Sequence, residues 1–551
     1  MRADPPRRAV YNAGMRIGLW QVNLTVGDLA ANAERIVAGG HAAVLQGCEL
    51  LVTPELAVTG YPPQDLLLKE HFVTDQLRVL HESIVPGMRL PALIGFVDRD
   101  DAGHRYNAVA CVADGELKDV IHKTLLPTYD VFDEQRYFTA ASENHPVELG
   151  GKLLGVTVCE DIWDEGYERK VVPELVAEGA EYIVNLSSSP FHAGKRQIRL
   201  GLCRRHAKAT GRPVIYCNLV GAQDELVFDG ESMAVDGSGR LIALGPQFAE
   251  KLVLVDCCPE RGAAPAVVIP EFHREQEVFD ALCLGVSDYF SKCGFQSAVI
   301  GLSGGIDSAL VACLAAEALA PERVVCVAMP SRFTAEMSNE DAATLAGKLG
   351  VEYHVLPIED SVQLATRRYT AEFGAYARQV TAENLQARER GKILMEISND
   401  RNALVLATGN KTEYALGYST LYGDMCGGLA VIGDIAKPEV YALARYYNTR
   451  RGDGIIPRRI IERPPSAELA ADQVDPFDYE RISPVADAVV EEHASREELL
   501  ERGYTPAEVD SVFRLVRLNE YKRRQAPPIL RVTEKAFGIG RRMPIVNRYP
   551  W

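Results

Sequence analysis

The chain has 551 residues, 47% hydrophobic and 25% charged, which excludes a disordered or collagen-like protein and is more than one core usually serves. Its net charge of −17 argues against a broad nucleic-acid or anionic-membrane surface, because such surfaces need Lys and Arg to neutralise phosphates. Twelve scattered cysteines without a CxxC pair argue against a zinc site or a disulfide framework and indicate a reducing, cytoplasmic location. No apolar run is long enough to span a membrane.

The first half of the chain predicts two sheets covered by helices, because short strands there are mixed with hairpin signals at 113–115 and 236–239. Residues 1–14 are expected to be a flexible leader, with Met15 as an alternative start. A stretch rich in Pro, Gly and Ala after Cys258 predicts a linker at 263–274. We therefore expect domains at 15–262 and 275–551. The strands are predicted at RIGLWQVN, ELLVTP, ALIGFV, NAVACV, KLLGVTVC, EYIVNL, PVIYCNL and ESMAVD.

The second half shows repeated strand-to-helix crossovers, which predict a doubly wound parallel sheet. Loops at the carboxyl ends of its strands should then carry the chemistry. The pattern runs through a helix at 275–293, strand SAVIGL, helix IDSALVACLAAEAL, strand RVVCVAM, a helix from Ser338 and strand EYHVL.

One loop of this half gives the strongest local indication of a phosphate site, because paired glycines before a helix let backbone N–H groups approach an anion. No Lys follows the glycines, so the loop is not the GxxxxGK[ST] type. Asp307 can reach phosphate only through a divalent cation, which implies Mg²⁺. A capped strand-to-helix turn is the structural alternative. The loop consists of Gly301, Leu302, Ser303, Gly304, Gly305, Ile306, Asp307 and Ser308.

This loop resembles the SGGxDS loop of N-type ATP pyrophosphatases, which adenylate a substrate and release pyrophosphate. The resemblance implies a Rossmann-like fold of the adenine nucleotide alpha hydrolase type, with ATP as cosubstrate. It indicates the type of reaction and leaves the substrate open.

The first half contains a nucleophile candidate, Cys159, at the end of the strand KLLGVTVC. A cysteine at a sharp strand exit exposes its sulfur next to backbone N–H groups that can bind an oxyanion. Glu55 could act as a base, and the ammonium of Lys123 could lower the thiol pKa. Taken singly, each residue also fits a buried or solvated structural role.

Together, the contexts PEL, HKTLLP and CEDIW resemble the Glu-Lys-Cys triad of the nitrilase, or carbon-nitrogen hydrolase, superfamily. The resemblance covers residues 15 to about 258 and implies an αββα sandwich. It also implies that Glu134 supports the triad. The residues that it places in contact with glutamine are Tyr129, Glu160, Ser189 and Lys195.

A nitrilase-like amidase joined to an SGGIDS loop resembles the glutamine-dependent NAD synthetases. The family implies that Asp307 and Glu413 hold Mg²⁺ and that Thr408 contacts ATP. It also suggests that the basic C-terminal segment, which starts at Lys522-Arg523-Arg524, closes over the dinucleotide phosphates. The deamido-NAD contacts that it implies are Asn384, Glu413, Tyr418, Ser419, Thr420, Leu421 and Lys522.

Two other interpretations stay open at this point. One is another amidating or tRNA-modifying ATP pyrophosphatase, against which the net charge and the amidase half count. The other is a non-catalytic nucleotide sensor, which predicts loss of Cys159, Asp307 or Glu413, yet all three are present. We expect a ligase that uses glutamine, ATP and deamido-NAD, forms a homo-oligomer and binds neither nucleic acid nor membrane.

Overall fold

The computed structural model describes residues 14–257, 267–452, 454–471 and 473–549. The predicted leader, apart from Gly14, and the first part of the predicted linker lie outside these residues, so the domain limits stay predictions. Within the described ranges, no helix has both the length and the apolar character needed to cross a membrane.

The first module is built on two mixed sheets. Its helices are α1 (Leu29–Leu45), α2 (Glu70–Val79), α3 (Val85–Gly87), α4 (Val171–Ala177) and α5 (Lys195–Thr210). Its strands are β1 (Arg16–Gln21), β2 (Leu50–Val52), β3 (Ala92–Arg99), β4 (Arg105–Ala113), β5 (Glu116–His122), β6 (Val147–Leu149), β7 (Lys152–Val158), β8 (Tyr182–Ser187), β9 (Val214–Asn218), β10 (Val220–Gln223), β11 (Leu226–Asp229), β12 (Met233–Val235), β13 (Leu241–Leu244) and β14 (Lys251–Asp256).

The two sheets of this module have the strand orders β14-β1-β2-β3-β4-β5 and β13-β12-β9-β8-β7-β6. Alternate side chains of their strands, among them Ile17, Leu19, Val156 and Val158, form one apolar core. A second apolar cluster joins α1 and α2 to the first sheet, and a third joins α4 and α5 to the second sheet. The expected αββα sandwich is confirmed.

The second module contains one parallel sheet of order β17-β16-β15-β18-β19. Its strands are β15 (Ala298–Gly301), β16 (Val324–Ala328), β17 (Glu352–Val355), β18 (Leu404–Ala407) and β19 (Leu429–Ala430). Its helices are α6 (Arg274–Cys293), α7 (Ile306–Leu319), α8 (Glu336–Leu349), α9 (Glu359–Phe373), α10 (Val380–Arg401), α11 (Lys411–Leu416), α12 (Lys437–Arg451), α13 (Arg458–Glu462), α14 (Tyr479–Glu491), α15 (Arg496–Glu501), α16 (Pro506–Leu518) and α17 (Glu520–Arg523).

Helices cover both faces of this sheet, which confirms the doubly wound fold. α6, α7 and α12 share the apolar cluster on one face, and α10 contributes Leu394 to the cluster on the other. β15 and β18 are direct neighbours. Because they run parallel, the loops that follow them, 302–305 and 408–410, meet at one edge of the sheet.

The modules contact each other mainly through α6, which packs against the hairpin β10–β11 of the first module. Asp288 on this helix accepts hydrogen bonds from Asn23 Nδ2 at 2.8 Å and from the backbone N–H of Ala222 at 2.6 Å. Lys292, one turn later, donates to Asn23 Oδ1 at 2.8 Å. The first helix of one module is thus tied to the other by buried polar contacts.

Candidate active sites

The backbone turns sharply at Cys159. β7 ends at Val158, and Cys159 opens a 3₁₀ turn (Cys159–Ile162) with φ 39°, a left-handed conformation unusual for a side chain with a Cβ. The carboxylate of Asp161 holds this turn, because it accepts the N–H groups of Val158 at 2.9 Å and of Leu125 at 2.8 Å. Such strain, held in place by its surroundings, is typical of functional positions.

Lys123 lies between two carboxylates in the floor of this site. Its Nζ donates to Glu55 Oε1 at 2.7 Å and to Glu134 Oε1 at 2.8 Å. Asn107 Nδ2 donates to the same Glu55 oxygen at 2.8 Å. Burial alone would lower the pKa of Lys123, but the two carboxylates raise it well above its ordinary value. Burial raises the pKa of Glu134 to about 7, against the opposing effect of Lys123.

The thiol of Cys159 is within electrostatic reach of this group. Burial raises its pKa well above the ordinary value, the charge of Glu55 raises it further, and Lys123 opposes both effects. The resting thiol therefore keeps its proton, and Glu55 is the carboxylate nearby that could accept it. The three residues predicted as a triad are brought together.

Glu160, next to Cys159, accepts hydrogen bonds from two tyrosines. Tyr129 Oη lies 3.1 Å from each of its carboxylate oxygens, and Tyr167 Oη lies 3.0 Å from Oε1. Burial raises the pKa of Glu160, and the tyrosine hydroxyls work against that shift. Tyr129 and Glu160 were predicted as neighbours in one site, whereas Tyr167 was not.

Lys195 and Ser189 are both neighbours of the buried Arg199. Lys195 is the first residue of α5, and its Nζ lies 4.7 Å from the ring centre of Trp163. Burial, then the charge of Arg199, lower its pKa to about 8. Ser189 donates its N–H to Asn218 Oδ1 at 3.0 Å and accepts from Arg199 at 2.8 Å. Of the predicted glutamine residues, Tyr129, Glu160 and Lys195 are within electrostatic reach of the buried thiol.

The loop after β15 folds around its own hydroxyl groups. Ser308 Oγ accepts the N–H of Ser303 at 3.2 Å, and Ser303 Oγ accepts the N–H of Gly305 at 3.2 Å. Gly304 has φ 77°, and a Cβ there would lie 2.2 Å from the carbonyl oxygen of Ser338. Only glycine fits this position.

Asp307 and Glu413 share the ammonium of one lysine. Lys437 Nζ lies 2.5 Å from Asp307 Oδ2 and 3.5 Å from Glu413 Oε1. Asn410 Nδ2 donates to Asp307 Oδ1 at 2.9 Å, and Asn410 caps α11, which carries Glu413. Burial, then the charge of Asp307, raise the pKa of Glu413 to about 8. Two carboxylates, from the first turns of α7 and α11, therefore meet in one place.

A cleft of about 390 Å³ opens above these carboxylates. At its wall, Thr420 Oγ1 donates to Asn384 Oδ1 at 2.8 Å, and Lys522 Nζ donates to the carbonyls of Gly417 and Ser419 at 2.7 and 2.8 Å. The predicted residues that line the cleft are Gly301, Leu302, Ser303, Gly305, Ile306, Asp307, Ser308, Asn384, Thr408, Glu413, Tyr418, Ser419, Thr420 and Lys522.

Two predicted positions are placed differently. Gly304 turns its backbone towards Ser338. Leu421 packs against the apolar cluster that contains Leu416 and Met425.

The later part of the basic C-terminal segment lies elsewhere than expected. Lys522 lines the cleft, but Arg531 forms a 2.6 Å ion pair with Asp130, and Arg542 forms a 3.0 Å pair with Asp133. Both aspartates belong to the loop of the first module that also carries Tyr129. This part of the segment therefore contacts the amidase module instead of closing over the cleft.

Two family models match the chain, Carbon-nitrogen hydrolase over residues 16–264 and NAD synthase over residues 278–526. The glutamine-dependent NAD(+) synthetases of Synechocystis sp. and Thermotoga maritima are 40% and 41% identical to it, over 97% of this chain and 99% of theirs. The chain belongs to this family. The family resemblance seen in the sequence is thereby confirmed.

Two solved glutamine-dependent NAD(+) synthetases share this fold. The Acinetobacter baumannii structure, a complex with adenosine diphosphate, superposes with a TM-score of 0.79 at 35% identity, covering 97% of this chain and 99% of that one. The Cytophaga hutchinsonii structure has a TM-score of 0.84 at 24% identity, with 97% and 98% coverage. The two-module fold is thus common to the family across low sequence identity.

Several polar residues of these NAD synthetase sites were missed by the sequence analysis. Asn107 lies within β4 and Tyr167 in an irregular loop, so neither stands next to a recognisable motif. Lys437, the first residue of α12, was not assigned to either site from the sequence. The structure supplies the partners, Asp307 and Glu413.

Proposed function

We propose that the chain makes NAD from deamido-NAD, with glutamine as the ammonia donor and ATP as the activating cosubstrate. One observation carries the proposal: a buried cysteine amidase site and an SGGxDS cleft occur in one chain whose modules are tied together. Glutamine would occupy the amidase site and ATP the cleft. AMP, pyrophosphate and glutamate would be the further products.

In the first site, Glu55 takes the proton of the Cys159 thiol as the sulfur attacks the side-chain amide carbon of glutamine. Lys123 lies beside the carbonyl oxygen as negative charge develops there. Glu55 then returns the proton to the departing ammonia. In the second half-reaction, Glu55 draws a proton from water, which hydrolyses the thioester to glutamate and restores the thiol.

Glutamine is held by groups that match its charges. The ammonium of Lys195 suits the α-carboxylate, and the carboxylate of Glu160, fixed by Tyr129, suits the α-ammonium. Ser189, held by Arg199 and Asn218, would add a polar contact. The opposite charges favour the free amino acid over an uncharged amide.

In the second site, the nicotinate carboxylate of deamido-NAD attacks the α-phosphate of ATP and pyrophosphate leaves. Ammonia then attacks the acyl carbon of the resulting adenylate, and AMP leaves with the bond electrons. Ser303, Ser308 and Thr408 lie where phosphate oxygens would need donors. Asn384, Thr420 and neighbouring cleft residues would contact deamido-NAD, with Lys522 beside its phosphates.

Asp307 and Glu413 would hold Mg²⁺. The donor set fits, because Mg²⁺ binds one or two carboxylates and completes its shell with water and substrate phosphates. Within the described residues, no cluster of three or more His, Cys, Asp or Glu could hold a metal, so nucleotide oxygens would have to complete the shell. When bound, the ion offsets the charge that builds up on the leaving pyrophosphate.

We also propose a cytoplasmic homo-oligomer. Support for a reducing compartment comes from the free thiols, including buried Cys313 and Cys326. Support for association comes from exposed apolar side chains on α9, where Tyr369 is 41% and Phe373 is 71% exposed. Light scattering of the purified chain measures its mass directly, and a monomeric mass at all concentrations would contradict the proposal.

The test is a substrate panel for the purified chain. Glutamine, ATP and Mg²⁺ are combined with deamido-NAD, aspartate, xanthosine monophosphate or a tRNA, and AMP, pyrophosphate and glutamate are measured. AMP is expected with deamido-NAD in amounts equal to NAD. AMP formation with another acceptor and none with deamido-NAD would contradict the proposed substrate.

A further inference from the structure

The segment that leads into Lys195 is held by groups of the other module. Residues 189–195, called here the glutamine segment, carry two of the proposed glutamine contacts. The N–H of Ala193 donates to the carbonyl of Val532 at 3.0 Å. The N–H of Gly194 donates to Glu277 Oε2 at 3.2 Å. Both acceptors belong to the second module, so two consecutive amides of the glutamine segment are satisfied across the module boundary.

The Glu277 carboxylate is buried, and other polar groups hold it in place for this contact. It lies in the first turn of α6 and is 4% exposed. Its other oxygen, Oε1, accepts from Gln247 Nε2 at 2.9 Å and lies 3.6 Å from an Arg196 guanidinium nitrogen. Arg196 is also paired with buried Glu231. A buried carboxylate is retained only where hydrogen bonds and a cation offset its desolvation, and Glu277 has both.

Gly194 lies at the start of α5, where the chain enters the helix. It is the N-cap of that helix and has φ 85°, a conformation that glycine adopts freely and leaves freely. Lys195 follows at once as the first helical residue. The Glu277 carboxylate also lies at the positive end of the α5 dipole, which favours an anion. The hydrogen bond to Glu277 therefore restrains a conformationally permissive residue next to Lys195, whose ammonium is proposed to bind glutamine.

We propose that Glu277 is a positioning residue of the glutamine site, acting from the second module through Gly194 on Lys195. The inference rests on the proposed function and extends it, because it names a group outside the amidase module on which glutamine affinity depends. Glu277 lies between the two matched segments, 16–264 and 278–526, so neither family model covers it.

The experiment compares three variants of the full chain, Glu277→Ala, Glu277→Gln and the matched control Glu275→Ala. Glu275 is in the same helical turn but exposed. For each, KM and kcat of glutamine hydrolysis are measured by glutamate release, and NAD synthesis is measured separately with ammonium chloride. The second assay reports the fold and activity of the synthetase module without using the glutamine site.

Glu277→Ala removes the acceptor, and its KM for glutamine is expected to rise about tenfold with kcat nearly unchanged. Glu277→Gln keeps a carbonyl oxygen for Gly194, and Gln247 can turn its amide to suit, so its KM should stay within about threefold of the parent chain. Ammonium-driven synthesis should be the same in all three variants, and Glu275→Ala should match the parent chain throughout.

Three results would overturn the inference. The first is an unchanged KM in Glu277→Ala. The second is an equal rise in Glu277→Gln, since the acceptor would then be irrelevant. The third is a parallel fall of kcat and of ammonium-driven synthesis, which marks a purely structural role. If the parent chain itself hydrolyses no glutamine, the proposed function fails, and that is known before any variant is compared.

Discussion

The amidase site and the synthetase cleft both contain charged side chains, but the two sites differ in how deeply these side chains are buried. The side chains of Glu55 and Lys123 are fully buried and paired with each other, whereas Asp307 and Glu413 are each 18% exposed at the floor of an open cleft. Covalent attack on a small amide needs a dry, preassembled group of residues. A cleft for ATP and a dinucleotide must instead leave room for anions and their counterion. The following predictions test this contrast.

The largest effect is expected from Cys159→Ala. Glutamine-dependent NAD formation should fall by about 10⁴-fold or more, because the nucleophile is removed. NAD formation with high ammonium chloride at alkaline pH should persist, because the cleft keeps all its groups. Coupled measurement of glutamate and NAD checks both. Loss of the ammonium-driven reaction in folded protein would show that the two sites are less separate than their geometry indicates.

Asp307→Asn removes charge from the open site. We expect AMP formation to fall by about 100-fold, a typical cost of losing one electrostatic stabiliser of a transition state. Glutamine hydrolysis should stay measurable, since Asp307 makes no contact within the amidase group. Raising the Mg²⁺ concentration should recover part of the lost rate if the residue binds the ion. AMP formation at the parent rate would remove Asp307 from the proposed mechanism.

The pH dependence of glutamine use follows from Lys195. Its pKa is lowered from 10.5 to about 8, so the ammonium is present below pH 8 and is lost as the pH rises through that value. kcat/KM for glutamine hydrolysis should therefore fall about tenfold per pH unit above 8. Glutamate release is the readout, because it does not depend on the ionisation of ammonia. Lys195→Arg stays charged, so its kcat/KM should not fall above pH 8. If kcat/KM of this variant falls as it does in the parent chain, the titration belongs to another group.

The smallest effect is expected from Tyr167→Phe. The change removes one of the hydroxyls that hold Glu160 and should cost about 1 kcal/mol, or about fivefold in KM for glutamine. Tyr129→Phe is the matched variant, because its hydroxyl contacts the same carboxylate. Steady-state kinetics of glutamate release decide the outcome. A fall in kcat instead of a rise in KM would mean that Glu160 acts on the reacting atoms.

The local features of the fold could be predicted because each depends on a short stretch of sequence. The helix expected over IDSALVACLAAEAL forms as α7, Ile306–Leu319, since it follows a glycine pair and is mostly apolar. Cys159 was expected at a sharp strand exit, and its φ of 39° agrees with that expectation. The hairpin β10–β11 was not predicted, because its short strands carry no clear alternation of apolar and polar residues.

Contacts between the modules could not be predicted from the sequence. Asp130 and Arg531 are far apart in the chain, and their ion pair exists only because the modules dock in one orientation. The same holds for Glu277 and Gly194. A charge on a predicted surface looks solvated until its partner is known, which is why the contacts of Arg531 and Arg542 with the first module were not predicted.

The contacts of Arg531 and Val532 with the first module also bear on protein synthesis. A chain is made from its N-terminus, and domains generally fold in the order in which they emerge. The amidase module is therefore complete in sequence while Val532, whose carbonyl accepts the N–H of Ala193 in the glutamine segment, has still to be translated. If the glutamine segment acts as proposed, we expect a nascent chain to reach full glutamine hydrolysis only after the second module has been made, which would limit loss of glutamine on the ribosome.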